Sequence, residues 1–281
     1  MRIAVFYENI NDGAKAGGIP IADALTRLRD GGMDSLYLSV DSWERDRKDL
    51  APILEKLNLP IEGMHGFCNF PGEPDALRYR DMIDLAADAG AGHLLFVPGM
   101  LSTGNTKRDL DRMLDGMRKA VEYGRSRSLP ILMEDFDGAL APYNCMAGLD
   151  FFLRNVPGLQ CAFDTGNFVM FREDEREAFE LFADQICTVH LKDRAAKPRH
   201  EGDQPFACAD GTQAYTCVTG SGYIHIGEIL QRLRERQYAG NVIIELFSCD
   251  SGHVLQDALE SLKWVRERTV GARGISIPAR R

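Results

Sequence analysis

Short apolar runs alternate with amphipathic segments along almost the whole chain. The first run, RIAVFY at 2–7, is followed by Ile21, Ala24, Leu25 and Leu28, whose spacing predicts a helix. Seven later runs have the length and content of buried strands: DSLYLS (34–39), IEGMHG (61–66), HLLFVP (93–98), PILMED (130–135), QCAFD (160–164), CTVHLK (187–192) and NVIIELF (241–247). Each precedes a helical pattern, at about 45–57, 77–85, 110–121, 146–155, 173–184, 226–233 and 254–265.

Eight strand–helix units in one chain predict a closed parallel barrel, the (β/α)8 or TIM barrel. The near-continuous hydrophobicity of the strands agrees, because both faces of such a sheet are covered. A doubly wound open sheet is the alternative, but YENINDGAKAGG after the first strand is not a glycine-rich dinucleotide-binding turn. Because no linker divides the sequence, we predict one domain over residues 1–281, with a flexible tail at about 270–281.

Charge and composition narrow the possible partners. The 42 acidic and 33 basic residues give a formal charge of −9, which argues against nucleic acid, because phosphate binding needs clustered Lys and Arg. The N-terminal apolar run before Glu8 is too short for a signal peptide or a membrane span, so we expect a cytoplasmic protein. Seven cysteines without C-x-x-C spacing indicate neither a disulfide framework nor a structural zinc site.

Ionisable side chains close the last four apolar runs: Glu134, Asp164, His190 and Glu245. In a barrel these strand ends would be neighbours on one half of the rim, where active sites lie. Because a buried carboxylate needs a partner, the set predicts one divalent metal ion, with Mn²⁺ or Mg²⁺ preferred and Co²⁺ or Zn²⁺ possible. The alternative for any single one of these residues is a helix-capping or salt-bridged side chain.

The order of these residues resembles a known family. Glu134, D-x-G-N at 164–167, H-x-K-D at 190–193, G-x-G-x-I at 220–224 and I-E at 244–245 look like the xylose isomerase-like superfamily of sugar isomerases and epimerases. The resemblance implies a TIM barrel with one metal ion, often Mn²⁺, held by residues matching the four above. It also implies a small sugar or ketose substrate and a homodimer or homotetramer. Its members include ketose 3-epimerases, hydroxypyruvate isomerases, inosose dehydratases and C-glycoside-cleaving lyases.

The same residues suit proton transfer next to a carbonyl. A metal ion chelated by a carbonyl and an adjacent hydroxyl would stabilise an enediolate, and Glu134 and Glu245 could act as the acid and base on opposite sides of the substrate. Two opposed bases give epimerisation, one shuttling base gives isomerisation, and loss of a β-hydroxyl gives dehydration. We therefore predict an isomerase or epimerase; a lyase with the same site is the alternative, and a non-catalytic sugar-binding barrel is the less favoured one.

Three further residues are predicted to bind substrate. Lys192 should share a strand face with His190, and His65 should lie at the end of the third strand, although a solvated lysine and a structural histidine are the alternatives. Asn167 occupies a position where many relatives have a histidine. Because an amide is a poor metal ligand and does not titrate near neutral pH, we expect it to contact substrate rather than metal.

The segment at 194–219 has little apolar period and is long for a loop of a compact domain. Such a loop is usually a functional lid or disordered. Lys197, Arg199 and His200 could close over an anionic substrate group, or the segment could be a solvated loop of mixed charge. The G-S-G sequence at 220–222 could cradle a phosphate, and the sequence leaves open whether the substrate carries one.

Overall fold

The computed structural model describes residues 1–72 and 77–269, and within them parallel strands form a closed barrel in the order β1-β11-β7-β6-β5-β4-β3-β2. The predicted TIM barrel is confirmed, and the open doubly wound sheet is wrong. The strands, numbered in chain order, are β1 (Arg2–Phe6), β2 (Ser35–Ser39), β3 (Ile61–Phe67), β4 (Leu94–Val97), β5 (Ile131–Met133), β6 (Gln160–Asp164), β7 (Ile186–Leu191), β8 (Asp193–Ala195), β9 (Pro205–Ala207), β10 (Gln213–Cys217) and β11 (Asn241–Ile244).

Helices follow the barrel strands and cover their outer faces. They are α1 (Tyr7–Ala16), α2 (Ile21–Asp30), α3 (Val40–Leu57), α4 (Arg78–Asp88), α5 (Thr106–Ser126), α6 (Met146–Asn155), α7 (Glu175–Phe182), α8 (Ile226–Glu235) and α9 (Val254–Thr269), with a 3-10 helix at Phe168–Phe171. Helix α1 was not predicted. Helix α3 begins earlier than expected, because the Ser39 hydroxyl accepts a hydrogen bond from the Ser42 amide and caps it.

The barrel has two apolar layers. Inside it, Ala4, Phe6, Tyr37 and Ile243 pack together with Phe247. The larger core lies between the strands and the surrounding helices. No helix within residues 1–72 and 77–269 has both the length and the apolar content to span a bilayer. The tail predicted at 270–281 lies outside the described residues.

The segment from 193 to 217 forms a separate antiparallel sheet with the strand order β8-β10-β9. Two contacts fasten it to α9: Arg199 Nη2 lies 2.8 Å from Glu260 Oε2, and His200 Nε2 lies 3.1 Å from Asp257 Oδ2. These side chains are therefore held by carboxylates of α9. Closure of Lys197, Arg199 and His200 over an anionic group stays a prediction, as does the alternative of a solvated loop.

His93 lies at the amino end of β4, inside the barrel. It is 3% exposed, its ring lies 5.8 Å from that of Tyr37, and a Cβ atom at Gly63 would collide with it. Burial, together with the charge of His190, lowers the pKa of His93 to about 3. The folded protein therefore keeps this imidazole neutral.

This burial gives a pH-dependent prediction. An unfolded histidine protonates below about pH 6.5, whereas His93 in the folded chain protonates only near its lowered pKa of about 3. The unfolded state thus binds more protons between these values, so the free energy of unfolding falls as the pH is lowered through this window. The free energy of unfolding of His93→Asn, measured by urea unfolding at a series of pH values, should therefore fall less steeply over this window. The difference in slope should correspond to up to about one proton.

The matched control is His253→Asn, since the side chain of His253 is 54% exposed. Its unfolding curves at the same pH values show the effect of replacing an exposed histidine. If the free energy of unfolding of the His93 variant and of the parent fell equally steeply with pH, His93 would not be the buried neutral group responsible.

Candidate functional site

The four predicted strand-end residues come from neighbouring strands of the barrel. Asp164 ends β6 and is in register with His190 of β7, whose other neighbour is Ile243 of β11. Glu134 follows directly after β5, and Glu245 follows directly after β11. The carboxyl ends of parallel strands lie at one rim, so the four side chains converge there.

Three of the four form a compact cluster. One ligand atom each from Glu134, Asp164 and His190 lie within 4.8 Å of one another. Glu245 is beside this cluster but not part of it: its Oε2 lies 3.4 Å from His190 Nδ1, and its Oε1 lies 2.5 Å from Lys192 Nζ. Lys192 would thus compete with a metal ion for the Glu245 carboxylate.

The cluster has polar atoms that the protein does not satisfy. Glu134 Oε2, Asp164 Oδ2 and both ring nitrogens of His190 are buried without a hydrogen-bond partner. Glu134 Oε2 and His190 Nδ1 are 2.9 Å apart without the geometry of a hydrogen bond. Two carboxylate oxygens and an imidazole nitrogen that face one point are a ligand set for a divalent metal ion. The residues present therefore fit such an ion.

The ionisation of the cluster is strongly shifted. Burial would lower the pKa of His190, but the charges of Glu134 and Glu245 outweigh it and raise the pKa to about 10. Burial raises the pKa of Asp164 to about 7. Burial would also raise the pKa of Glu245, yet Lys192 and His190 lower it to about 2. A positive charge in this cluster therefore stabilises the carboxylates around it.

Lys192 is the cation that the protein itself supplies. Its side chain is 6% exposed, and Nζ lies 2.5 Å from Glu245 Oε1 and 3.5 Å from Asp164 Oδ2. Nζ also donates a hydrogen bond to Asn167 Oδ1 at 3.0 Å. Burial opposes the charged form, but these carboxylates raise the pKa of Lys192. The lysine therefore remains protonated in the cluster.

Both polar atoms of the Asn167 side chain form hydrogen bonds within the protein. Nδ2 donates to the Asp135 carbonyl at 2.9 Å, and Oδ1 accepts from Lys192 and, at 3.4 Å, from Arg194. The residue is 1% exposed. These contacts orient Lys192, and contact between Asn167 and a substrate stays a prediction.

A cavity of about 400 Å³ opens above the cluster. Its size is within the range of small-molecule sites. His65 lines it and stacks on Tyr37, with ring centroids 5.5 Å apart, while its Nδ1 has no hydrogen-bond partner. The other lining residues are Phe6, Glu8, Ser39, Phe67, Leu95, Val97, Glu134, Phe136, Asp137, His190, Lys192, Phe206, Glu245, Phe247 and Ser248.

Sequence reasoning missed several of these residues. Glu8 comes two residues after β1, so the strand-end rule that selected Glu134 and Glu245 also applies to it. Asp137 lies three residues beyond Glu134, in a connection without regular structure. Phe206 comes from the small antiparallel sheet, whose fold the apolar pattern did not predict. Only Glu8 therefore had a usable sequence signal.

The fold and this cluster define a TIM barrel with a carboxylate–imidazole site at the carboxyl end of its strands. The family model described as "Xylose isomerase-like TIM barrel" matches residues 24–268, and the chain belongs to that family.

Relatives agree with this assignment. The chain is 24% identical over 268 residues to the L-ribulose-5-phosphate 3-epimerase UlaE of Escherichia coli K12, covering 86% of this chain and 87% of that protein. Its fold is similar to the probable 3-DHS dehydratase AsbF of Bacillus anthracis, with a TM-score of 0.72, 14% identity, and 95% and 100% of the two chains covered. An L-ribulose 3-epimerase structure gives a TM-score of 0.69 at 17% identity, covering 95% and 94%.

The cluster predicts metal binding. Purified protein incubated with Mn²⁺ and then desalted should hold about one ion per chain, measured by elemental analysis. Asp164→Ala should lose the ion and the thermal stabilisation that binding gives, because it removes a buried ligand. Asp184→Ala is the control, since that side chain is 90% exposed. A metal-free parent protein, or full loading of Asp164→Ala, would contradict the prediction.

Asn167 gives a separate prediction. Asn167→Ala removes partners from Lys192, Arg194 and the Asp135 carbonyl, so the free energy of unfolding should fall by about 1 to 3 kcal/mol, measured by urea unfolding. Mn²⁺ content should stay that of the parent protein. Loss of the ion from this variant would instead identify Asn167 as a ligand.

Proposed function

We propose that the chain is a metal-dependent sugar epimerase or isomerase that acts on the carbon next to the carbonyl of a small sugar or ketose. The observation that carries the proposal is the convergence of two carboxylates on one imidazole: His190 Nδ1 lies 2.9 Å from Glu134 Oε2 and 3.4 Å from Glu245 Oε2. Both glutamates line the same cavity. The epimerase relatives support the reaction class.

The proposed metal ligands are the clustered Glu134, Asp164 and His190, with Glu245, which lies beside them on Lys192, as the fourth. Mn²⁺ is the favoured ion, and Mg²⁺, Co²⁺ or Zn²⁺ are the alternatives. When bound, such an ion supplies polarisation of the substrate carbonyl and charge stabilisation of an enediolate. Asp164 is fixed for this role, because its Oδ1 accepts a hydrogen bond from the Gly166 amide at 2.7 Å.

Proton transfer is assigned to Glu134 and Glu245. Their strands, β5 and β11, are separated by β6 and β7 around the barrel, so the two carboxylates approach the cavity from different directions. The lowered pKa of Glu245 keeps it ionised at neutral pH, and Lys192 fixes its position. One carboxylate removes the proton beside the carbonyl and the other returns a proton.

Two further residues complete the proposed site. His65 lines the cavity, its Nδ1 has no partner in the protein, and burial lowers its pKa, so the neutral ring could bond a substrate hydroxyl. Lys192 lines the cavity and can donate to a substrate oxygen while Asn167 holds its ammonium group. A homodimer or homotetramer remains a prediction from the family resemblance.

The experiment is NMR of ketoses, inososes and hydroxypyruvate incubated with the Mn²⁺-loaded protein in D₂O. Deuterium incorporation next to the carbonyl, with an epimer or isomer as the product, is the expected result. An enone product would instead identify a lyase of the dehydratase kind, and binding without exchange would identify a non-catalytic sugar-binding barrel.

Variants of the two glutamates test the assigned roles in the same assay. Glu134→Gln and Glu245→Gln each remove a base but keep an oxygen ligand, so turnover should fall by about 10²-fold or more with much less effect on Mn²⁺ affinity. Glu122→Gln, at an exposed position of α5, is the control. Near-normal turnover in both cavity variants would show that other groups move the proton.

A further inference from the structure

The cavity of the proposed active site has an excess of negative charge. Glu8, Asp137, Glu134 and Glu245 all line it, and Lys192 is the one lysine or arginine among the described residues that do. That lysine is already paired with Glu245 and Asp164. Arg194, which is not among the lining residues, is likewise held by a carboxylate, since its Nη2 lies 3.6 Å from Asp137 Oδ2. These cations are therefore already paired before an anionic substrate group could meet them.

Backbone donors that could hold a phosphate are also occupied. TIM barrels frequently bind phosphate in the loops after the seventh and eighth barrel strands. Here the Asp193 carboxylate fills that position: Oδ2 accepts from the amides of Gly220 and Gly222 at 2.7 and 2.9 Å, and Oδ1 accepts from Arg194 at 2.8 Å and Ile224 at 3.3 Å. An internal carboxylate thus takes the donors that an anion would need.

Two residues that line the cavity have polar atoms without a partner in the protein. Glu8 Oε1 accepts a hydrogen bond from the Ser39 amide at 2.9 Å, whereas Glu8 Oε2 is buried without a partner. A hydroxyl can donate to this oxygen, but a phosphate would be repelled by it. Nδ1 of His65, which also lines the cavity, is a second polar atom without a partner in the protein.

Aromatic rings provide the rest of the recognition surface. Phe6, Phe67, Phe136, Phe206 and Phe247 all line the cavity. The Phe67 and Phe136 rings pack edge to face at 5.8 Å, and Phe67 is 53% exposed. Such a surface suits the C–H face of a sugar and penalises a doubly charged phosphate that must give up its water.

We infer that the substrate is an uncharged polyhydroxy ketone and not its phosphate ester, with Glu8 accepting a hydrogen bond from one of its hydroxyl groups. This inference rests on the proposed function and specifies its substrate class. The inferred substrate differs from the one in the name of the relative UlaE, which is L-ribulose 5-phosphate.

The test compares matched pairs, each a ketopentose or ketohexose and its terminal phosphate ester, with the Mn²⁺-loaded protein. Deuterium exchange in D₂O gives kcat/KM for both members of each pair. The neutral ketoses should be favoured by roughly 10²-fold or more, as expected where a buried ionic group is left unpaired. Equal or higher kcat/KM for the phosphate esters would overturn the inference.

Glu8→Gln tests the named contact. Removing the carboxylate charge should raise KM for the neutral ketose by roughly 10-fold or more, with a smaller change in kcat, and should narrow the discrimination against the phosphate ester. Glu122→Gln changes the net charge equally outside the cavity and should leave both substrates unaffected. Unchanged KM and unchanged discrimination in Glu8→Gln would contradict the role of Glu8.

Calorimetry separates this inference from the proposed reaction. Tighter binding of neutral ketoses without any exchange would reject the isomerase or epimerase reaction and retain the substrate class. Exchange confined to phosphate esters would retain the reaction and reject the substrate class. Failure to bind either member of every pair would reject both.

Discussion

The arrangement of the site depends on the cost of burying several charges in one place. The side chains of Asp164, His190, Lys192 and Glu245 are each at most 7% exposed. An ionised group removed from water is tolerated only when it is paired. The ionisation of each of these groups therefore depends on its neighbours. A bound divalent cation would change the ionisation of all of them together.

This constraint also explains the local backbone. The Thr165 hydroxyl accepts a hydrogen bond from the Lys192 amide and donates one to the Lys192 carbonyl, both at 3.0 Å. Arg194 donates to the Gly166 carbonyl at 3.0 Å and stacks on Phe206. The D-x-G-N and H-x-K-D segments are thus one hydrogen-bonded unit, which fixes the lysine between two carboxylates.

The sequence predicted the elements whose signal is local and periodic. Apolar runs and helical spacing were sufficient for the barrel, and the strand-end rule brought Glu134, Asp164 and His190 together. Helix α1 was missed because Gly13 and polar residues interrupt its apolar face. The partners of Asn167 and the fastening of His200 to Asp257 could not be predicted, because they depend on contacts between distant segments. The same holds for Asp193, the last residue of H-x-K-D, whose carboxylate accepts hydrogen bonds from four backbone amides in the structure.

The closure of the barrel has a consequence for how the chain acquires its structure. Strand β1 pairs with β11, so that Arg2 is in register with Asn241, and α9 packs against α1 and α2. Cβ atoms at Gly13 and Gly31 would collide with Leu255 and Leu259 of α9. The close packing of α9 on this part of the chain therefore requires glycine at these two positions. During synthesis β1 has no neighbour on one side until β11 has emerged. Contacts of such long sequence separation slow folding, and until they form the incomplete barrel exposes two open sheet edges to other chains.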